Sequence, residues 1–205
     1  MTGRVLRFAL LADGSSDGAL LPVITWMINQ TSPDLELPDP GFRARVARKD
    51  IGHEMRETIA LFRPDILFVH RDAEAQDPAS RRAEIPPADC TLVRIVPVRM
   101  TEAWLLFDEA AIRRAADRPM GKASLELPAL QRVEELTDPK ARLRETLLVA
   151  AEARGRQRKR FQKDLAVRVQ RVAELIDDFS PLRRLKAFEQ FEQDCVEALR
   201  SLDLV

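Results

Sequence analysis

Short apolar runs separated by polar, turn-rich segments dominate the first hundred residues. Residues 5–12 (VLRFALLA) form one such run, which reads as a buried strand. It stops at Asp13-Gly14-Ser15-Ser16-Asp17-Gly18, after which Leu20, Leu21, Ile24 and Ile28 recur at helical spacing. Pro22 falls in the first turn of that helix, where a missing N–H is tolerated. Residues 43–49 predict a weaker strand. Asp50 is placed to cap a helix through Met55, Ile59 and Phe62, which Pro64 closes. Residues 65–70 (DILFVH) and 91–98 (TLVRIVPV) predict two further strands, joined by a polar loop with Pro78, Pro86 and Pro87.

From Thr101 onward the pattern changes to helix, with breaks near Pro119, Pro128, Pro139 and Pro181. Phe161, Leu165, Val169, Val172 and Ile176 step by three or four and predict one long amphipathic helix. Phe188, Phe191, Cys195 and Leu199 mark a last helix of the same kind. Strands alternating with helices imply a mostly parallel sheet. The expected architecture is therefore α/β, with a sheet domain over 1–105 and a helical extension over 106–205 packed on it as one structural unit.

Composition narrows the field without choosing a function. At 205 residues, 45% apolar and 32% charged, the chain has enough material for an ordinary core. Lys plus Arg and Asp plus Glu number 33 each, so any nucleic-acid contact must come from a local patch. Only Cys90 and Cys195 occur, without metal-ligand spacing, which points to free thiols and a cytoplasmic location. No run is long and apolar enough for a membrane span.

Ligands gather at the carboxyl ends of parallel strands. Two acidic groups fall there: Asp13 and Asp17 after the first strand, Asp72 and Glu74 after the third. Four carboxylates suit Mg²⁺ or Mn²⁺, hard cations that prefer oxygen ligands. The structural alternative is that these acids merely cap turns and helices. Gly14-Ser15-Ser16-Asp17-Gly18 also matches the Gly-x-Ser-x-Gly of a hydrolase elbow. A catalytic His late in the chain is missing, however, since the only histidines are His53 and His70.

The second chemical feature is a basic run. Arg154, Arg156, Arg158, Lys159, Arg160 and Lys163 lie within ten residues, with Arg156 and Arg160 on one helix face and Lys159 and Lys163 on another. Such a row can follow a phosphate backbone; a solvated helix face is the plainer reading.

An acid, Gly, two small residues and a second acid after the first strand, then acid-x-acid after a later strand, resemble the Toprim domain of OLD-type nucleases and topoisomerases. The segment from Met100 to Asp108 (MTEAWLLFD) and Asp138-Pro139-Lys140 resemble recurrent segments of a Toprim-like bacterial family of unknown function. The resemblance implies a Toprim-like, Rossmann-like sheet and a metal-dependent phosphodiesterase acting on nucleic acid, DNA more than RNA. It implies Asp13, Asp17, Asp72 and Glu74 as ligands of Mg²⁺ or Mn²⁺, and Asp13, Asp72, Glu102 and Lys140 as catalytic candidates. Toprim domains usually carry Glu where this chain has Asp13, and Asp-x-Asp where it has Asp72 and Glu74. Relatives of this kind resemble components encoded beside AAA or ABC-type ATPases in defence against phage and other mobile DNA. An ATPase partner is thus implied, either for an active nuclease or for a catalytically degenerate subunit, and a homo-oligomer stays open.

Overall fold

The computed structural model describes residues 4–46, 50–73, 76–98 and 100–205. The strands are β1 (Arg4–Val5), β2 (Phe8–Ala12), β3 (Leu35–Glu36), β4 (Gly41–Ala44), β5 (Ile66–His70) and β6 (Thr91–Ile95). The main sheet has the order β4-β2-β5-β6, and every pairing in it is parallel. β1 and β3 form a separate parallel pair. The helices of this part are α1 (Leu20–Thr31), α2 (Ile51–Phe62) and α3 (Pro78–Ala83), each joining consecutive strands of the main sheet. The protein is α/β with a Rossmann-like parallel sheet.

The chain divides into two compact units. The sheet unit comprises residues 1–98 and 186–205, the helical unit residues 99–185. The expected boundary at 105 assigned the last helix to the helical extension. In the structure that helix, Lys186–Ser201, returns to the sheet unit.

Burial explains the return. All five residues of β2 and all five of β5 are buried, so both faces of the sheet need cover. On one face Ala9, Leu11, Leu67 and Val69 pack with Met55 of α2 and with Ile85. On the other, Phe8 meets Phe68 edge to face at 5.6 Å, and Phe68 meets Phe191 of the last helix at 6.4 Å. The apolar stripe Phe188, Phe191, Cys195 and Leu199 is fully buried.

Other differences from the sequence reading are local. The run 5–12 is two strands, because Leu6 and Arg7 separate a pairing with β3 from the main sheet. The strand expected over 43–49 lies at Gly41–Ala44, and residues 47–49 are outside those described. The run 91–98 ends as a strand at Ile95, two residues before Pro97, which has no N–H to offer a ladder. Asp77 caps α3 inside the expected loop, accepting from Ser80 N at 2.9 Å.

The helical unit contains α4 (Glu109–Ala115), α5 (Pro139–Ala150), α6 (Gly155–Lys163) and α7 (Leu165–Leu175), with 3₁₀ turns at Thr101–Leu105, Leu130–Glu135 and Ser180–Arg184. Asp108 and Asp138 cap α4 and α5, each accepting a backbone N–H at 2.8 Å. Trp104, Leu143, Leu147, Val172 and Phe179 form its core. The single long helix expected through Ile176 is broken at Asp164, which ends α6 and begins α7. The last helix of the chain, Lys186–Ser201, is α8. Among the described residues, no helix is long and apolar enough to cross a membrane.

Candidate functional site

The chain leaves β2 toward β4 on one side and leaves β5 toward β6 on the other. The crevice at their carboxyl ends is therefore the topological switch point, where open parallel sheets bind ligands. Pairing of Ala12 with Ala44 and of Leu11 with Val69 brings the next residues of three strands into one row. That row reads Arg45, Asp13, Arg71, an alternation of charge across the sheet's edge.

Asp13 sits at its centre. Arg45 Nη1 donates to Asp13 Oδ1 at 2.8 Å, and Arg71 Nε lies 2.9 and 3.1 Å from the two carboxylate oxygens. The backbone N–H of Asp72 donates to Asp13 Oδ2 at 3.2 Å, which ties the two strand ends together through the main chain, while the Asp72 carboxylate turns to His70. Each arginine also holds a second carboxylate. Arg45 Nε donates to fully buried Glu54 of α2 at 2.9 Å, and Val46 N donates to the other oxygen of Glu54 at 2.6 Å. Burial opposes the charge on Arg45, but the bonds and charges of Asp13 and Glu54 outweigh it and raise its pKa. Arg71 Nη1 is 3.1 Å from Glu84, which Arg81 shares while its Nε donates to the Asp72 carbonyl at 2.9 Å.

Beneath this row lies His70, the last residue of β5, with no exposed surface. Its Nδ1 is 3.4 Å from Asp17 Oδ2 and its Nε2 is 3.1 Å from Asp72 Oδ1. Burial lowers the imidazole's pKa, yet the two carboxylates overcome it and raise the value to about 10. His70 is thus an imidazolium at neutral pH, clamped between two anions. Asp17 belongs to a 3₁₀ turn, Ser15–Ala19, and also accepts Gly14 N at 2.8 Å, so it is cap and cluster member together.

Glu74 lies outside the described residues. Glu102 and Lys140 are brought to each other within the helical unit, 3.6 Å apart, with Glu102 buried. Arg154, Arg156, Arg158, Lys159, Arg160 and Lys163 are all exposed at or along α6, and no described carboxylate pairs with any of them. Phe161 turns inward beneath the guanidinium of Arg168, 5.1 Å from its ring centre. By sequence the helical unit carries nineteen Lys and Arg against fourteen Asp and Glu, and the sheet unit fourteen against nineteen. The neutral chain is thus divided into units of +5 and −5.

In kind, the oxygens of Asp13, Asp17 and Asp72 fit Mg²⁺ or Mn²⁺. In this arrangement each serves a cation of the chain itself, Arg45 and Arg71 for Asp13 and His70 for the other two. Among the described residues no group of three His, Cys, Asp or Glu side chains is arranged to hold a metal ion. A divalent cation would therefore enter by exchange, taking carboxylates that Arg45, Arg71 and the His70 proton now neutralise. The acids stand out in the sequence, whereas Arg45, Arg71, Glu54 and Glu84 join the cluster only in the folded chain. For Arg71 alone a local signal existed, since it directly follows the strand predicted to end at His70, as Asp13 follows the first. No family model matches the sequence, and comparison with curated proteins and with solved structures gives no match either.

Proposed function

We propose that this chain is a Toprim-like phosphodiesterase that uses Mg²⁺ or Mn²⁺ to cut nucleic acid, DNA in preference to RNA, beside an AAA or ABC-type ATPase in defence against phage. The observation that supports the reading is that Asp13 and Asp72 end neighbouring strands at the switch point of the sheet, joined by the hydrogen bond from the Asp72 backbone to the Asp13 carboxylate. Asp13, Asp17, Asp72 and Glu74 would hold the metal, which when bound would supply charge for the scissile phosphate and an activated water. The chain's own residues do the rest. His70 orients Asp17 and Asp72 from below. Arg45 and Arg71, once they yield Asp13, present guanidinium forks suited to phosphate oxygens. The unpaired cations of α6 neutralise the backbone.

A second reading is a catalytically degenerate subunit that binds the ATPase. It is favoured by the ion pairs that already engage Asp13, Asp17 and Asp72. Thermal melting with and without Mn²⁺ separates the two. A metal site filled to a hundred times its Kd stabilises by about 2.7 kcal/mol, so a clear rise in Tm that is lost in Asp72→Asn supports the nuclease. An unchanged Tm in millimolar Mn²⁺ leaves the degenerate subunit.

A further inference from the structure

A cleft of about 330 Å³ opens in the sheet unit beyond the carboxyl end of edge strand β6. Its walls come from three elements: Ala79 and Arg82 of α3, Arg94 and Val96 of the β6 strand and its extension, and Ala187 and Phe191 of α8. This size is that of a small-molecule pocket. The lining is chiefly hydrocarbon, yet two guanidiniums border it and they share one acid. Arg82 is ion-paired with Asp194 and donates Nη1 to the Arg94 carbonyl at 3.0 Å. Arg94, half-buried, donates only Nε, to the Ile85 carbonyl at 3.1 Å. Among the described residues nothing accepts from its Nη1 or Nη2. Burial and the neighbouring charge of Arg82 lower the pKa of Arg94, and Asp194 offsets this only in part. Exposed Lys186 also borders the cleft and adds a third cationic residue to it.

We propose that this cleft is a binding site for a small amphipathic anion, a hydrocarbon body carrying a terminal carboxylate or phosphate. The apolar walls take the body, and the open fork of Arg94 takes two oxygens of the head group, the geometry in which arginine binds such anions best. An anion there also relieves the repulsion between Arg82 and Arg94. A neutral apolar ligand would leave that repulsion standing, and a bare inorganic anion would leave the apolar walls wet. The site is separate from the acid cluster and does not rest on the nuclease reading. The two share α3, whose Arg81 holds the Asp72 carbonyl while Arg82 faces the cleft.

Calorimetric titration with octanoate, octyl phosphate and octan-1-ol tests the site, since the three share a tail and differ in head group. At least one anion binds one to one, tenfold or more tighter than the alcohol, and the preferred anion identifies the head group. Arg94→Gln weakens that binding tenfold or more. Ala79→Trp, at an exposed position where the fold tolerates bulk, fills the cleft and blocks it. Wild-type melting temperatures in both variants keep the comparison fair. No saturable binding of either anion, an alcohol that binds as tightly, or equal binding by wild type and both variants overturns the proposal.

Discussion

Raising the pH should unlock the cluster through His70, by an amount set by its position. The folded-state pKa is about 10 against an ordinary 6.5. A raised value means that the imidazolium's contribution is complete below pH 6.5, declines as pH rises, and is gone above 10. The span is about 3.5 pH units at about 1.4 kcal/mol each, so the full contribution is on the order of 5 kcal/mol. Between pH 7 and 9 the loss is on the order of 2–3 kcal/mol, a fall in Tm of roughly 5–10 °C for a chain of this size. Thiols do not confuse this window. Burial pushes Cys195 up to about 12 and raises Cys90 as well. Urea unfolding of metal-free protein at pH 7, 8 and 9 measures the slope, and His70→Gln should flatten it, because glutamine bonds without titrating. NMR of the imidazole nitrogens gives the pKa directly. A His70 that titrates near 6.5, or a His70→Gln variant with the wild-type slope, refutes the reasoning.

Three further outcomes are expected. If a cation replaces the His70 proton between Asp17 and Asp72, Mn²⁺ affinity rises up to about tenfold per pH unit from 7 to 9; affinity independent of pH would detach the metal from His70. Glu54→Ala strands the Arg45 charge on one side and the Val46 amide on the other, and should cost about 3–5 kcal/mol in urea unfolding. A cost below about 1 kcal/mol would mean that Arg45 needs only Asp13. Replacing Arg156, Arg158 and Arg160 with Ala should reduce the salt slope of DNA binding by about 2.7 while changing stability by less than about 0.5 kcal/mol. An unaltered slope in filter binding would make α6 a solvated face.

What could be read in the sequence, and what could not, follows from the range of the forces involved. Asp13, Asp17 and Asp72 stand out because a turn after an apolar run is a local signal. Arg45 and Arg71 join them only through strand order, and nothing near residue 45 announces that Ala44 will lie beside Ala12. His70 looks like any histidine ending a strand. Its charge depends on two carboxylates brought from a turn and a strand end. The apolar stripe of α8 is plain in the sequence, whereas its return to the sheet depends on an uncovered face built about 120 residues earlier. The break at Asp164 was hidden because the three-and-four spacing of Phe161, Leu165 and Val169 continues through it.

Cleavage of supercoiled plasmid in Mn²⁺ by wild type, Asp13→Ala and Asp13→Glu tests the central claim most directly. If Asp13 and Asp72 form the working centre, the wild type nicks the plasmid only with metal. Asp13→Ala then folds but does not cut, and Asp13→Glu, which supplies the acid usual in the Toprim domains this chain is proposed to resemble, keeps or raises the rate. A folded Asp13→Ala protein that cuts as fast as wild type would contradict the account.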